Sequence, residues 1–145
     1  MQSSVICLCY TYVVANIVAE VMAEIVTSDE FANWYGNLDD PGRKAVAHVV
    51  ELLARQGLSL GAPYSSALQG TQYGLRELRS KRYGRALRVI YAYDEERDAV
   101  LIIGGDKSGR KRFYEEMIPQ AEAIWREYLK ERRALHPGRA RRSTK

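Results

Sequence analysis

The sequence predicts an α+β fold: a small, antiparallel, twisted sheet with helices packed on one face. This class is predicted by two stretches with helical periodicity in the first half, three β-branched runs with short links in the middle, and a long apolar stripe after them. The element order is β-α-α-β-β-β-α. The 145 residues suit one domain, which we expect over residues 22–133. The second face of the sheet is expected to be free to carry function.

The first half of the chain predicts a strand and two helices. Residues 23–27 (AEIVT) form a short β-branched run, and Ser28 is placed to cap a helix over 28–37. Pro41 is tolerated in the first turn of a second helix, whose apolar residues recur at helical spacing until Gly57 ends it. The two helices therefore predict an αα-hairpin.

Strands dominate the middle of the chain. Residues 57–74 are rich in Gly, Ser and Pro and predict a loop, with one short strand near 65–68. The runs 74–80, 85–93 and 99–104 are β-like and are joined by short turn-like pieces. Three consecutive strands with short links predict an antiparallel meander.

The last helix and the two ends of the chain have distinct compositions. A helix over 111–133 carries an apolar stripe, and Pro119 inside it predicts a kink or a helix boundary. Residues 134–145 are basic and poor in apolar side chains, so we expect a disordered tail. Residues 1–21 are apolar and contain no Lys or Arg, unlike a secretion signal. We interpret them as an upstream extension, a start-site artefact, with an N-terminal membrane anchor as the open alternative.

The charge distribution predicts a polyanionic partner. Between residues 76 and 112 there are eleven Lys and Arg against six Asp and Glu, although the net charge of the chain is only +4. Such a basic field attracts polyanions, of which nucleic acid is the commonest. Cys7 and Cys9 have no other cysteine to pair with, and their spacing suits neither a disulfide nor a zinc site. We therefore expect a cytoplasmic protein with no metal, no cofactor and no membrane partner.

Alternation along the strands predicts a basic sheet face. Residues two apart in a strand share a face, so Arg88 lies with Ile90. If Leu78 packs inward, Glu77 and Arg79 of the preceding strand point the other way and lie beside Arg88. The link between these strands adds three further candidate RNA contacts, Lys81, Arg82 and Arg85. Arginine forks bind phosphate well. The alternative is an ordinary solvated face with a Glu77–Arg88 ion pair.

An ordered set of short motifs carries a family resemblance. The set comprises ELRS at 77–80, RVIY at 88–91, the hydrophobic run 100–103 leading into GGDK, and Tyr114. Over about residues 22–131 the chain resembles the RelE/HigB family of type II toxin–antitoxin systems, in its phage-related HigB-like branch. The resemblance implies a toxin that enters the ribosomal A site and cleaves mRNA without a metal. In that chemistry the 2′-hydroxyl attacks the adjacent phosphate and gives a 2′,3′-cyclic phosphate.

The same resemblance implies roles for individual residues. Arg88 matches the family's phosphate-binding arginine, and Arg79 and Lys107 lie at neighbouring basic positions. Tyr114 matches a C-terminal aromatic that stacks on a base or carries a proton. Glu77 stands where the best-studied members have a catalytic lysine, so it is either the proton acceptor or simply the partner of Arg88.

The remaining implications concern partners and alternatives. Ser108 stands where those members have a second arginine, and Arg110, Lys111 and Arg112 are the candidates to replace it as RNA contacts. The implied partners are a cognate antitoxin of the helix-turn-helix type, mRNA and the ribosome, with operator DNA bound only through the antitoxin. A ParE-like gyrase inhibitor and a catalytically decayed antitoxin-binding relative stay open as alternative functions. The glycines at 104–109 lack the Walker spacing, so nucleotide binding is not expected.

Overall fold

The computed structural model describes residues 23–135 of the chain. In chain order its elements are β1 (Ile25–Thr27), α1 (Asp29–Gly36), α2 (Asp40–Gln56), β2 (Ser65–Ala67), β3 (Arg76–Ser80), β4 (Leu87–Tyr93), β5 (Ala99–Asp106) and α3 (Phe113–Leu135). The α+β class is confirmed, as are the order of the elements and the short strand expected near 65–68. The predicted N-terminal extension, and the predicted tail beyond Leu135, lie outside the described residues.

The five strands form one sheet in the order β1-β5-β4-β3-β2. Strand β1 pairs with β5 in parallel, and all other pairs are antiparallel, so the predicted meander β3-β4-β5 is confirmed. Ser80 pairs with Leu87, and Leu87 with Asp106. The β3–β4 loop and the β5–α3 loop therefore lie at the same end of the sheet, which we call the basic end because both loops carry several Lys and Arg.

Helices α1 and α2 both begin at a capping side chain, and the cap at Ser28 is the one that the sequence predicts. The Ser28 hydroxyl accepts a 2.9 Å hydrogen bond from the backbone N–H of Phe31 and donates to the Ile102 carbonyl, which attaches α1 to the sheet. The Asp39 carboxylate accepts from the Gly42 N–H at 3.0 Å and starts α2. These side chains satisfy backbone donors that have no partner inside a helix.

The sheet is covered by helices on both faces, so the expectation of helices on one face is wrong. Helices α1 and α2 pack on the face that carries Leu78, Val89 and Tyr91. Helix α3 packs on the opposite face, over Ile90 and Ala92. Periodicity shows that the α3 stripe must be buried but does not indicate against which face. As a result, the face that was expected to be open for function is partly covered by α3.

Two glycines allow this packing from both sides. A Cβ on Gly104 would lie 2.2 Å from the Trp34 ring, and a Cβ on Gly105 would lie 3.0 Å from the Phe113 ring. Both glycines belong to strand β5, between α1 on one face and α3 on the other. Their role here is close packing, since a Cβ on Gly104 would overlap the Trp34 ring and a Cβ on Gly105 would be tight against the Phe113 ring.

Helix α3 continues through Pro119 and ends at Leu135. Of the two expectations for Pro119, a helix boundary is therefore wrong. None of the helices within residues 23–135 combines the length and the apolar character needed to cross a membrane.

Candidate functional site

The pairing of β3 with β4 places three predicted site residues on one face of the sheet. Arg79 lies directly opposite Arg88, and Glu77 lies opposite Ile90. Side chains that are opposite each other in an antiparallel pair point to the same side. Because Ile90 is buried beneath α3, the Glu77, Arg79 and Arg88 side chains lie on the α3 face, beside the first turn of that helix.

Glu77 is the centre of the cluster. Its Oε1 accepts a 2.7 Å hydrogen bond from the Tyr114 hydroxyl and lies 3.8 Å from Nε of Arg88. Its Oε2 lies 3.5 Å from Nη1 of Arg79 and 3.5 Å from the Ser66 hydroxyl. Four side chains from β2, β3, β4 and α3 thus converge on one carboxylate.

Both charges of the Glu77–Arg88 pair are withdrawn from solvent. Glu77 is 5% exposed and Arg88 is 6% exposed. Nη1 of Arg88 donates to the Leu87 carbonyl at 3.1 Å, whereas its buried Nε makes no hydrogen bond within residues 23–135. A buried charged N–H without an acceptor is costly, and in native proteins such a group is often found at a functional position.

Tyr114 lies over this carboxylate as a half-buried phenol. Burial, followed by the hydrogen bond to Glu77, raises the pKa of Tyr114 above its usual value, while Arg88 opposes the rise. The phenol therefore stays protonated at neutral pH and acts as a donor to Glu77. Nζ of Lys107 lies 5.7 Å from the centre of the Tyr114 ring, within the range of a cation–π contact.

Backbone contacts hold Lys107 at the basic end. Its N–H donates to the Ala86 carbonyl at 2.8 Å. The N–H of Ala86 in turn donates to the Ser108 hydroxyl at 3.1 Å. These two bonds join the β3–β4 loop to the β5–α3 loop. The Ser108 hydroxyl thus helps to fix the position of the neighbouring Lys107.

Five of the six predicted RNA contacts are exposed, and Arg85 is partly buried; the exposed residues are Lys81, Arg82, Arg110, Lys111 and Arg112. Three of the six, Arg85, Arg110 and Arg112, also form ion pairs. Arg110 pairs with Glu116, and Arg112 pairs with Glu115 at 2.8 Å. Arg110 also lies against the ring of Phe113. The role of each as an RNA contact stays a prediction.

Arg85 has a structural partner that sequence spacing does not reveal. Its two Nη atoms lie 2.6 and 2.5 Å from the two Oδ atoms of Asp39, 46 residues away along the chain. This bidentate pair, together with the Gly42 N–H, lowers the pKa of Asp39 to about 2. The pair attaches the end of the β3–β4 loop to the start of α2. Among residues 23–135, no three His, Cys, Asp or Glu side chains are grouped as a metal site would need.

Comparison with known proteins identifies the family of this chain. A family profile for phage-derived Gp49-like proteins (DUF891) matches residues 33–126, which is more than half of the chain. The chain belongs to this family. Gp49-like residues 33–126 include the whole of the cluster around Glu77, together with Lys107 and Tyr114.

Two proteins of Mycobacterium tuberculosis strain H37Rv are similar to this Gp49-like chain. One is named as a candidate toxin, HigB3, and is 31% identical over 100 residues, which cover 68% of this chain and 86% of that protein. The other is named as a candidate toxin, HigB2, and is 29% identical over 117 residues, which cover 79% of this chain and 58% of that protein. The chain thus spans less than two thirds of the length of HigB2. The predicted HigB-like membership is confirmed.

Proposed function

We propose that this Gp49-like chain is the toxin of a type II toxin–antitoxin pair and that it cleaves mRNA on the ribosome without a metal. The observation that carries the proposal is the convergence of Arg79, Arg88 and Tyr114 on the buried carboxylate of Glu77. The names of the two mycobacterial relatives support the toxin assignment. The basic end of the sheet supports a nucleic-acid substrate.

The proposed reaction is a transesterification followed by release of the product. The ribose 2′-oxygen attacks the adjacent phosphorus, the P–O5′ bond breaks, and the products are a 2′,3′-cyclic phosphate and a 5′-hydroxyl. The reaction needs a group to take the 2′-hydroxyl proton and a group to protonate the leaving 5′-oxygen. It also needs cations to stabilise the charge that builds up on the phosphorane.

We assign these tasks to the cluster as follows. Glu77 takes the proton of the 2′-hydroxyl, since it is the carboxylate on which the site converges. Arg79 and Arg88 bind the phosphorane oxygens, and the buried Nε of Arg88 gains an acceptor, which residues 23–135 do not offer it. Lys107 supplies the proton for the 5′-oxygen, because its ammonium lies over the Tyr114 ring, 5.7 Å from the ring centre.

Binding of the phosphate in this scheme requires Tyr114 to leave Glu77. In the free protein the phenol covers the carboxylate, and Arg88 is almost fully buried. A nucleotide that enters from the basic end displaces the hydroxyl and receives the Tyr114 ring as a stacking partner. Catalytic contacts often tighten only when substrate is bound, so the 3.8 Å separation of Arg88 from Glu77 is compatible with this scheme.

The proposal includes a partner that keeps the toxin inactive. A cognate antitoxin of the helix-turn-helix type binds the chain, covers the basic end or prevents its entry into the ribosome, and connects the pair to operator DNA. The surplus of positive charge at this end supports docking of a partner segment with acidic side chains.

Expression of the full chain without an antitoxin tests the proposal. We expect growth arrest and new mRNA 5′ ends within translated regions, and we expect Arg88→Ala to abolish both. Arg126→Ala, an exposed arginine on α3, is the matched control and should behave as the wild type. Normal growth with unchanged 5′ ends would refute the nuclease, and growth arrest with intact mRNA would point to a ParE-like gyrase inhibitor.

The burial of the Glu77–Arg88 pair also supports a second candidate, a decayed relative that only binds its antitoxin. In that case the carboxylate of Glu77 stays paired with Arg88, so that Arg88 is never free to bind a phosphate. The same expression experiment separates the two, because the decayed protein leaves both growth and mRNA unchanged while it still forms a complex with the antitoxin.

A further inference from the structure

Tyr83 is an exposed aromatic residue at the tip of the β3–β4 loop. Its side chain is 58% exposed, which makes it one of the few large apolar side chains between residues 23 and 135 that face solvent. It occupies the middle of a short 3-10 turn, Arg82–Gly84. Neither the chemistry assigned to Glu77 nor the packing of the core uses it.

The backbone at this position is one that a tyrosine rarely adopts. Tyr83 has φ +58° and ψ +29°, in the left-handed region, and Gly84 follows with φ +70°. Glycine or asparagine takes this conformation at lower cost than an aromatic residue. A strained aromatic that is also exposed gains no packing in return, and strained residues of this kind are concentrated at binding and catalytic sites.

The surroundings of Tyr83 suit a polyanion. Its neighbours Lys81 and Arg82 are both exposed and cationic. The far end of the loop is attached to α2 by the Arg85–Asp39 ion pair and to the β5–α3 loop through Ala86. The ring is therefore presented from a loop whose far end is fixed, and two exposed cations directly precede it in the chain.

The loop also lies close to the proposed centre of cleavage. Tyr83 is four residues beyond Arg79, so the two Cα atoms are at most about 14 Å apart. The cation pair Arg79–Arg88 lies just before the hairpin closes. If this pair binds the phosphate that is cleaved, the nucleotides next to that phosphate lie within reach of the loop.

We infer that Tyr83 is a stacking platform for an unpaired base of single-stranded RNA, next to the nucleotide that is cleaved. The inference rests on the proposed function for its substrate. Exposed aromatic rings between cations are the usual means by which proteins hold single strands, because every base has a face to stack on and the cations follow the phosphates. The ring positions the RNA and takes no part in the chemistry.

A binding measurement on the full-length protein tests this role without depending on cleavage. The probe is a short, fluorescently labelled single-stranded RNA with 2′-O-methyl riboses, which has no 2′-hydroxyl to react. Affinity is measured by anisotropy for the wild type, Tyr83→Asn and Tyr83→Phe. Leu58→Ala, which shortens another exposed apolar side chain, is the control. Unfolding by denaturant is recorded for each protein.

For Tyr83→Asn we expect RNA affinity to fall while the stability of the fold is unchanged or rises. Tyr83→Asn should bind the RNA about tenfold more weakly, as for the loss of one stacked base. Its stability should be equal to or higher than that of the wild type, because asparagine tolerates positive φ. Tyr83→Phe and Leu58→Ala should retain wild-type affinity.

Three results would overturn the inference. The first is an RNA affinity of Tyr83→Asn equal to that of the wild type. The second is a loss of RNA affinity in Tyr83→Phe as large as that in Tyr83→Asn. The third is a loss of antitoxin binding with RNA binding intact, which would assign the ring to a protein partner. If RNA binding depends on Tyr83 but unmodified mRNA is never cut, the inference holds and the proposed nuclease fails. If mRNA is cut equally well by Tyr83→Asn and RNA affinity is unchanged, the nuclease holds and the inference fails.

Discussion

The Tyr114 hydroxyl donates a 2.7 Å hydrogen bond to Oε1 of Glu77 and so joins the first turn of α3 to strand β3. This bond crosses 37 residues of sequence and lies at the point where α3 meets the second face of the sheet. The packing of α3 and the assembly of the proposed site are therefore coupled. A change that loosens the start of α3 should also alter the surroundings of Glu77.

Tyr114→Phe should lower the free energy of unfolding by about 1 kcal/mol. The variant loses a donor to a buried carboxylate and keeps the ring, and hydrogen bonds in proteins contribute roughly this amount. Chemical denaturation measures the change. Tyr83→Phe, which removes a hydroxyl from an exposed ring, is the control and should be neutral. Equal stability of Tyr114→Phe and the wild type would show that the bond contributes nothing.

Gly104→Ala should destabilise the fold by about 2 kcal/mol or more. The new Cβ would lie 2.2 Å from the Trp34 ring, and overpacking of a filled core has costs of this order. Gly36→Ala is the matched control, because a Cβ there meets no atom within 4 Å. That variant should be neutral or slightly stabilising at the end of α1. Similar stabilities for the two variants would contradict the close packing of Trp34 on β5.

Protonation of Asp39 should lower the stability of the protein in acid. Its pKa is lowered from 3.8 to about 2 by Arg85 and the Gly42 N–H, so its contribution is present above pH 3.8 and is lost as the pH falls to about 2. Asp39→Asn keeps an oxygen for the helix cap but removes the charge. Melting temperatures followed by circular dichroism should therefore fall less steeply over this range in Asp39→Asn. If the melting temperatures of wild type and Asp39→Asn fall in parallel with pH, protonation of Asp39 does not contribute to the loss of stability in acid.

Deprotonation of Tyr128 should likewise lower the stability of the protein in alkali. Its hydroxyl donates to Asp94 at 3.0 Å, and burial followed by the charge of Asp94 raises the pKa of Tyr128 above its usual 10.0. A raised pKa means that the contribution is complete below pH 10 and is lost as the pH rises beyond it. Tyr128→Phe should show a shallower decline above pH 10. Part of the decline in stability above pH 10 should remain in Tyr128→Phe, because burial also raises the pKa of Tyr93.

Local pattern was sufficient to predict most of the secondary structure. The cap at Ser28, the helical spacing of α2 and the alternation in β4 depend on residues that are close together in the sequence. The face on which Glu77, Arg79 and Arg88 meet also followed from alternation, since antiparallel neighbours in a hairpin have few possible registers.

Features that depend on distant contacts were missed. The side of the sheet that α3 covers is decided by packing against Gly105 and Ile90, which the periodicity of α3 does not encode. The Arg85–Asp39 pair joins residues 46 apart, so local pattern predicted Arg85 only as an RNA contact. The positive φ of Tyr83 is equally invisible, because tyrosine has no preference for that conformation.

The central claim is that the carboxylate of Glu77 takes the proton from the attacking 2′-hydroxyl. The most direct measurement is the rate of cleavage of mRNA on stalled ribosomes by wild type and Glu77→Gln, with chemical identification of the new RNA ends. The account predicts 2′,3′-cyclic phosphate and 5′-hydroxyl ends, and a rate at least about a hundredfold lower for Glu77→Gln. Cleavage by Glu77→Gln at the wild-type rate, or ends of any other kind, would contradict it.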